Sequence, residues 1–156
     1  MKFQLVHLST ASEDWSKLVV ELYQKKINHF VPIEIVHLKS KKAAREHSSH
    51  KLEIESDLIL NYIKADDFVV VFDERGKKLN SIDFSKSLER ILSSGKKRAL
   101  FIIGGAYGIS PEVRKNAQLC ISFSDMVFSH LIAQAVALEQ IYRAFTILRN
   151  IPYHNE

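Results

Sequence analysis

The stretch FIIGGAYGISPEV, residues 101–113, decides how this chain is read. An apolar, β-branched run stops abruptly at Gly104, Gly105 and Gly108, and Ser110-Pro111-Glu112 then supplies a helix start. A buried strand emptying through a glycine loop into a helix is the repeating unit of an α/β sheet. Such a loop invites comparison with phosphate cradles, and the spacing tests it. A dinucleotide fingerprint needs glycines at i, i+2 and i+5, where this chain carries Gly104, Ala106 and Ile109. A Walker loop ends in Gly-Lys-Ser/Thr, whereas Ile109-Ser110-Pro111 offers no lysine. Both phosphate motifs fail, which argues against ATP or GTP as substrate. Two readings stay open on the residues alone. The glycines either only form a tight turn, or they leave the backbone bare so that a flat ligand can approach it.

Outward from this loop the pattern repeats. Residues 2–8, 32–38, 68–72 (FVVVF), 99–103 and 119–123 read as strands, the third a continuous apolar run suited to a central position and expected to end in a turn at residues 73–77. Between them, helical spacing marks Trp15, Leu18, Val19, Leu22 and Tyr23, then Leu52, Ile54, Leu58, Ile59, Tyr62 and Ile63, then Phe84, Leu88, Ile91 and Leu92. A short helix is expected over residues 110–117 and a long one over 131–148. Alternating strands and helices imply a mostly parallel sheet with helices on both faces, in a single domain spanning residues 1–156. In such sheets ligands bind beyond the carboxyl ends of the strands, which brings Phe72-Asp73, Gly104-Gly105 and Phe123-Ser124 into one question.

Composition narrows the class. With 46% hydrophobic and 26% charged residues, the chain reads as globular rather than disordered. No apolar run approaches the roughly 20 residues of a membrane span, and the first residues are too polar for a signal peptide, so a cytoplasmic protein is expected. The net charge of +4 permits nucleic-acid binding without demanding it. Much of the excess lies in Lys39, Lys41, Lys42, Arg45 and Lys51, set against Glu46; a solvated surface and a phosphate-facing edge both fit. His47 and His50 have no carboxylate cluster to complete a metal site, and none is expected. Cys120, the single cysteine, reads as a small apolar strand residue. The final helix has almost no polar face, so a second subunit is expected to cover what the sheet does not, giving a two-fold homodimer.

Five segments in register add a resemblance: FDERGK (residues 72–77), FIIGGAYGIS (101–110), SFSDMVFSH (122–130), LEQIYRAF (138–145) and PYH (152–154). Their order and spacing, over essentially the whole chain, resemble the bacterial large-subunit ribosomal RNA pseudouridine N3-methyltransferases, a branch of the SPOUT superfamily. The resemblance implies a C-terminal trefoil knot, a dimer built on the last helix, and S-adenosylmethionine (S-adenosyl-L-methionine) held by three loops. Carried over by position, those loops supply Phe72, then Gly104, Gly105 and Gly108, then Phe123, Ser124, Asp125, Met126, Val127 and Phe128. It also implies Tyr153 and His154 as catalytic groups, with His154 a proton acceptor or a ring-orienting donor, and His130 and Arg143 on the RNA. The implied substrate is ribosomal RNA (23S) within the assembled ribosome. Ser129, Gln134 and Asn155 depart from the pattern, where proline, arginine and a basic residue are expected. Those departures keep two alternatives in view: a noncatalytic RNA- or ribosome-binding module of the same fold, and a SPOUT enzyme acting on transfer RNA. For Glu139 and Arg143, four apart, an ion pair along one helix is expected as well.

Overall fold

The computed structural model of the chain describes residues 1–8, 11–39 and 48–154. Of the basic segment, Lys41, Lys42, Arg45, Glu46 and His47 therefore lie outside the described residues, as does Asn155. The elements alternate: β1 (Lys2–His7), α1 (Asp14–Ile27), β2 (Ile33–His37), α2 (Ser48–Tyr62), β3 (Asp67–Lys78), α3 (Ser81–Leu92), β4 (Arg98–Ile103), α4 (Pro111–Asn116), β5 (Leu119–Ser122) and α5 (His130–Leu148). The five strands form one sheet in the order β2-β1-β4-β3-β5, every pairing parallel. The α/β class and the alternation read from the sequence hold.

Period-2 alternation divides the core in two. Phe3 and Leu5 of β1, Val70 and Phe72 of β3, and Ala99, Phe101 and Ile103 of β4 face α1, α3 and α5. Val6, Val69, Val71, Leu100 and Ile102 face the other way, against Ile59 of α2 and Val113 of α4. The central strands are buried on both sides, as a parallel sheet between two helical layers requires.

Two expectations need correction. First, β3 does not stop at Phe72. Ile121 of β5 pairs with Phe72 and again with Lys77, so residues 73–76 loop out of the ladder and the strand resumes over Lys77 and Lys78. The expected turn is a bulge inside a longer strand, because β5 offers a second set of backbone partners beyond it. Second, α5 is by length and composition apolar enough to cross a membrane. Gln134, Glu139, Gln140 and Arg143 break up its apolar run without lowering the average enough to matter. Its burial gives it a different role: Ala137, Leu138, Ile141, Ala144 and Phe145 are sealed in the core under α1 and α3, which marks a core helix.

Candidate cofactor cleft and tail cluster

Three strand ends open into one cleft of about 400 Å³. Phe72 and Ile103 form its apolar floor, the backbone of Gly104, Gly105 and Gly108 one wall, and Phe123, Ser124, Met126, Val127 and Phe128 the opposite wall. Phe72 and Phe123 stack with ring centroids 4.4 Å apart, and Phe128 tilts against Phe123 at 6.4 Å. The loop after β5 is shaped by its serines: Ser122 Oγ donates to the Ser124 carbonyl, and Ser124 Oγ accepts from the Met126 N–H, both at 2.9 Å. Met126 and Val127 are then left 76% and 85% exposed at the mouth, an arrangement that costs free energy unless something covers them. Asp125 is the exception among the expected residues. It is absent from the lining and turns outward to pair with Lys78 of β3.

The glycine loop is held shut by its own backbone. Gly108 donates to the Gly105 carbonyl at 3.0 Å, and Gly108 adopts φ +78°, a conformation costly for other residues. Ser110 caps α4 by accepting from Val113, and Pro111 occupies the first helical turn as expected. Beneath the loop, Arg114 of α4 binds the Ile109 carbonyl and lies 3.5 Å from the buried carboxylate of Asp73. This pair ties the β3 bulge to the loop after β4. Sequence reasoning missed it: Asp73 falls within FDERGK, but nothing in that segment points to Arg114 as its partner. Cys120 of β5 is half-buried; burial first, and then Asp73, push its thiol pKa up, so it is an inert strand residue.

His130 also lines the cleft, placed there as the first residue of α5 by Ser129, whose Oγ accepts from Ile132 at 3.4 Å. Serine thus supplies a cap at the position where the resemblance led to an expected proline. Burial, and then the charge of Lys51, hold the His130 pKa below its ordinary value. Gln134 is 5% exposed and its Nε2 is unpartnered among the described residues, so it points into the protein and is not a phosphate-facing group.

The remaining expected residues gather elsewhere. A Schellman turn ends α5: Ile151 N–H bonds the Thr146 carbonyl, Asn150 N–H bonds the Ile147 carbonyl, and Asn150 takes φ 54°. That turn folds Tyr153 and His154 back along the helix. Arg143 donates twice to one oxygen of Glu139, at 2.9 and 2.6 Å, so the expected i,i+4 pair is present. Tyr153 donates its single hydroxyl proton to the same oxygen at 3.2 Å, which makes Tyr23 the donor in the 3.3 Å contact between the two phenols. Burial and these two partners raise the Tyr153 pKa far above its ordinary value, so the phenol stays neutral. Arg143 also stacks on the Tyr153 ring at 4.7 Å and approaches His154 Nδ1 at 3.2 Å. A guanidinium only donates, so Nδ1 is the acceptor and neutral His154 carries its proton on Nε2.

His154 borders a second cavity of about 500 Å³ with Asn80, Ser81 and Gln140. Phe72, Ser122 and Phe123 line both cavities, so the Phe72–Phe123 stack is the partition between them. The structure thus brings His130 to the cleft, while His154 borders the second cavity and Arg143 and Tyr153, its neighbours, are likewise absent from the cleft lining.

A family profile described as "Predicted SPOUT methyltransferase" matches residues 1–154. The chain belongs to the SPOUT methyltransferase family. It is similar to the "Ribosomal RNA large subunit methyltransferase H" of Bdellovibrio bacteriovorus, 59% identical with 99% of each chain covered. Proteins of the same name from Christiangramia forsetii and Parabacteroides distasonis are each 36% identical, the first covering 99% and the second 100% of both chains. SPOUT methyltransferases take their methyl group from S-adenosylmethionine. The cleft fits that group. Its volume lies within the 300–1,000 Å³ of ordinary ligand sites, its aromatic walls can enclose an adenine ring, and bare loop backbone can bond the ring edge. Among the described residues no group of three or more His, Cys, Asp or Glu side chains could hold a metal ion.

Proposed function

We propose that this chain methylates N3 of a pseudouridine in 23S ribosomal RNA, acting in the cytoplasm on the assembled ribosome as a two-fold homodimer with a knotted C-terminal segment. The single observation that carries the substrate is the 59% identity, over 99% of both chains, to a ribosomal RNA large subunit methyltransferase. The cofactor residues are Phe72, Gly104, Gly105, Gly108 and residues 123–128, with Asp125 serving by anchoring its loop to Lys78.

S-adenosylmethionine, when bound, supplies an electrophilic methyl group on positively charged sulfur. The chain's own task is to present the uracil ring in line with that methyl and to make loss of the N3 proton easier. Arg143 provides a fixed positive charge, and His154 Nε2–H can donate to a ring carbonyl on which negative charge grows. In this arrangement His154 orients the ring rather than accepting the proton, because Nδ1 is already engaged by Arg143. The N3 proton passes to water. Tyr153, neutral and fixed by Glu139 and Tyr23, offers a flat face for stacking. His130 and Lys51 take phosphate at the cleft rim.

The partition between the two cavities supports the dimer. A tail that does not reach the cofactor cleft of its own chain can serve the cleft of a second copy. Trp15, Leu18 and Leu22 of α1 and Ile132 of α5 add exposed apolar side chains that a second copy would cover. Mass mapping of 23S ribosomal RNA from a deletion strain tests the reading. One pseudouridine should lose one methyl, and purified protein with ribosomes and S-adenosylmethionine should restore it; an unchanged map removes the proposal. Light scattering at micromolar concentration should give twice the chain mass.

A further inference from the structure

Glu55 has no place in the mechanism above, yet it is the carboxyl group of α2 most deeply set in the fold. It is 4% exposed, and its Oε2 atom is fully buried with no hydrogen-bond partner among the described residues. Burying an unpaired carboxyl is costly, and helix residues facing a sheet are ordinarily apolar. Its setting is specific. A Cβ built on Gly105 would fall 2.2 Å from Glu55 Oε2 and 2.6 Å from Oε1 and Cδ. The carboxyl therefore occupies the volume that any side chain at position 105 would need. The same construction on Gly104 meets the Gly108 carbonyl oxygen at 2.4 Å. Neither absent side chain would project into the cleft; both would project into the protein.

We propose that Glu55 is a positioning residue for the cofactor, that its carboxyl braces the glycine loop from behind, and that position 105 must be glycine because of Glu55 rather than because of the ligand. The brace acts on the backbone that forms one wall of the cleft. Gly105 lines the cleft with its main chain on one side and meets Glu55 on the other. An alanine at 105 pushes the loop into the space reserved for the cofactor; shortening residue 55 lets the loop settle back. The argument concerns shape, so the amide isostere at 55 should serve nearly as well as the acid.

This inference rests on the assignment of the cleft to S-adenosylmethionine, and a four-cornered titration separates the two. Binding of S-adenosylmethionine and of S-adenosylhomocysteine is measured by calorimetry for the wild type, Gly105→Ala, Glu55→Ala and the double variant, with thermal melts on each. Gly105→Ala should weaken both ligands by about tenfold or more, and the double variant should return to within about threefold of Glu55→Ala, a coupling of the size seen between residues in contact. Glu55→Gln should bind within about threefold of the wild type. Should Glu55→Ala fail to fold, Glu55→Ser replaces it in the cycle. A double variant as weak as Gly105→Ala places the clash with the ligand and overturns the proposal, as does wild-type affinity in Gly105→Ala. Equal loss in Glu55→Gln and Glu55→Ala also overturns it, because charge would then matter rather than shape. Absence of binding by the wild type would instead remove the cofactor assignment on which the proposal stands.

Discussion

The cofactor cleft and the tail cluster use opposite building methods. The cleft is made of backbone, aromatic rings and exposed apolar side chains, and its mouth residues Met126 and Val127 have little to touch. The tail cluster is made of polar side chains whose bonds are largely satisfied within the chain: Arg143, Glu139, Tyr153, Tyr23 and His154 form one connected network, with Lys26 lying 5.0 to 5.8 Å over the rings of Tyr23, Tyr142 and Tyr153. A surface left unsatisfied gains by binding, whereas a network already satisfied gains by staying in place. The cleft therefore suits a ligand that must enter and leave each turnover. The tail suits a group that must be presented in one geometry to a large substrate.

The sharpest way to break this division is to remove residues 153–156. Methyl transfer to ribosomes should fall by about 100- to 10,000-fold, the range for losing a group that moves or orients a proton, while calorimetric affinity for S-adenosylmethionine stays within about twofold. Equal loss of both would mean that the two regions are one site within a single chain.

Gly104→Ala attacks the other region alone. Its Cβ would press on the Gly108 carbonyl oxygen, so the loop must open at a cost of about 1 to 3 kcal/mol, enough to weaken cofactor binding by about 5- to 150-fold. At saturating cofactor the transfer rate should recover most of its wild-type value. A rate that stays low at saturation would show that loop shape matters to chemistry as well as to binding.

Phe123→Ala probes the shared boundary. Loss of the 4.4 Å stack on Phe72 removes an aromatic pair worth about 0.5 to 1.5 kcal/mol beyond burial, so cofactor affinity should drop by about 2- to 12-fold. Because Phe123 lines both cavities, it is the cleft substitution expected to lower the saturated transfer rate too, by a similar factor. Confinement of its effect to affinity would mean the partition is only a wall.

How much of this was readable beforehand follows the same division. The strand ends and the glycine loop were legible because β-branched runs and glycines have strong local signatures, and Phe72, Gly104 and Phe123 do meet as expected. The length of β3 was not, because the bulge after Phe72 is fixed by where β5 lies and not by Asp73-Glu74-Arg75-Gly76 itself. The meaning of the glycines was half legible. Their bareness was plain, but the groups filling the vacant space, Glu55 and the Gly108 carbonyl, come from tertiary packing. Glu55 did leave a trace. It stands three residues after Leu52 and four before Ile59, on the apolar face of α2, where a charged residue is out of place. Asp73 and Arg114 left none, since their pairing joins distant segments.

The smallest expected effect is a pH slope, and it distinguishes the cleft rim from its floor. Burial, and then Lys51, lower the His130 pKa in the folded chain, so the folded state binds that proton less readily than the unfolded one. Its stabilising contribution is therefore complete above the ordinary histidine value of about 6.5 and is lost as pH falls from there through the lower folded value. Glu55 runs the other way. Burial raises its pKa against the opposing charge of Lys51, so its contribution is complete below the ordinary carboxyl value of about 4.3 and is lost as pH rises through the higher folded value. His37, also lowered chiefly by burial, adds a slope of the same sign as His130, so the wild-type curve alone cannot assign either. The difference between variants can. His130→Asn should flatten the fall in melting temperature between pH 7 and 5, values chosen to bracket the histidine range of about 6.5, and leave the higher-pH limb unchanged. Glu55→Gln should do the reverse, gaining melting temperature toward neutral pH while keeping the acid-side fall. A His130→Asn slope equal to that of the wild type would mean that the imidazole is not desolvated, and that the rim of the cleft is as open to water as its mouth.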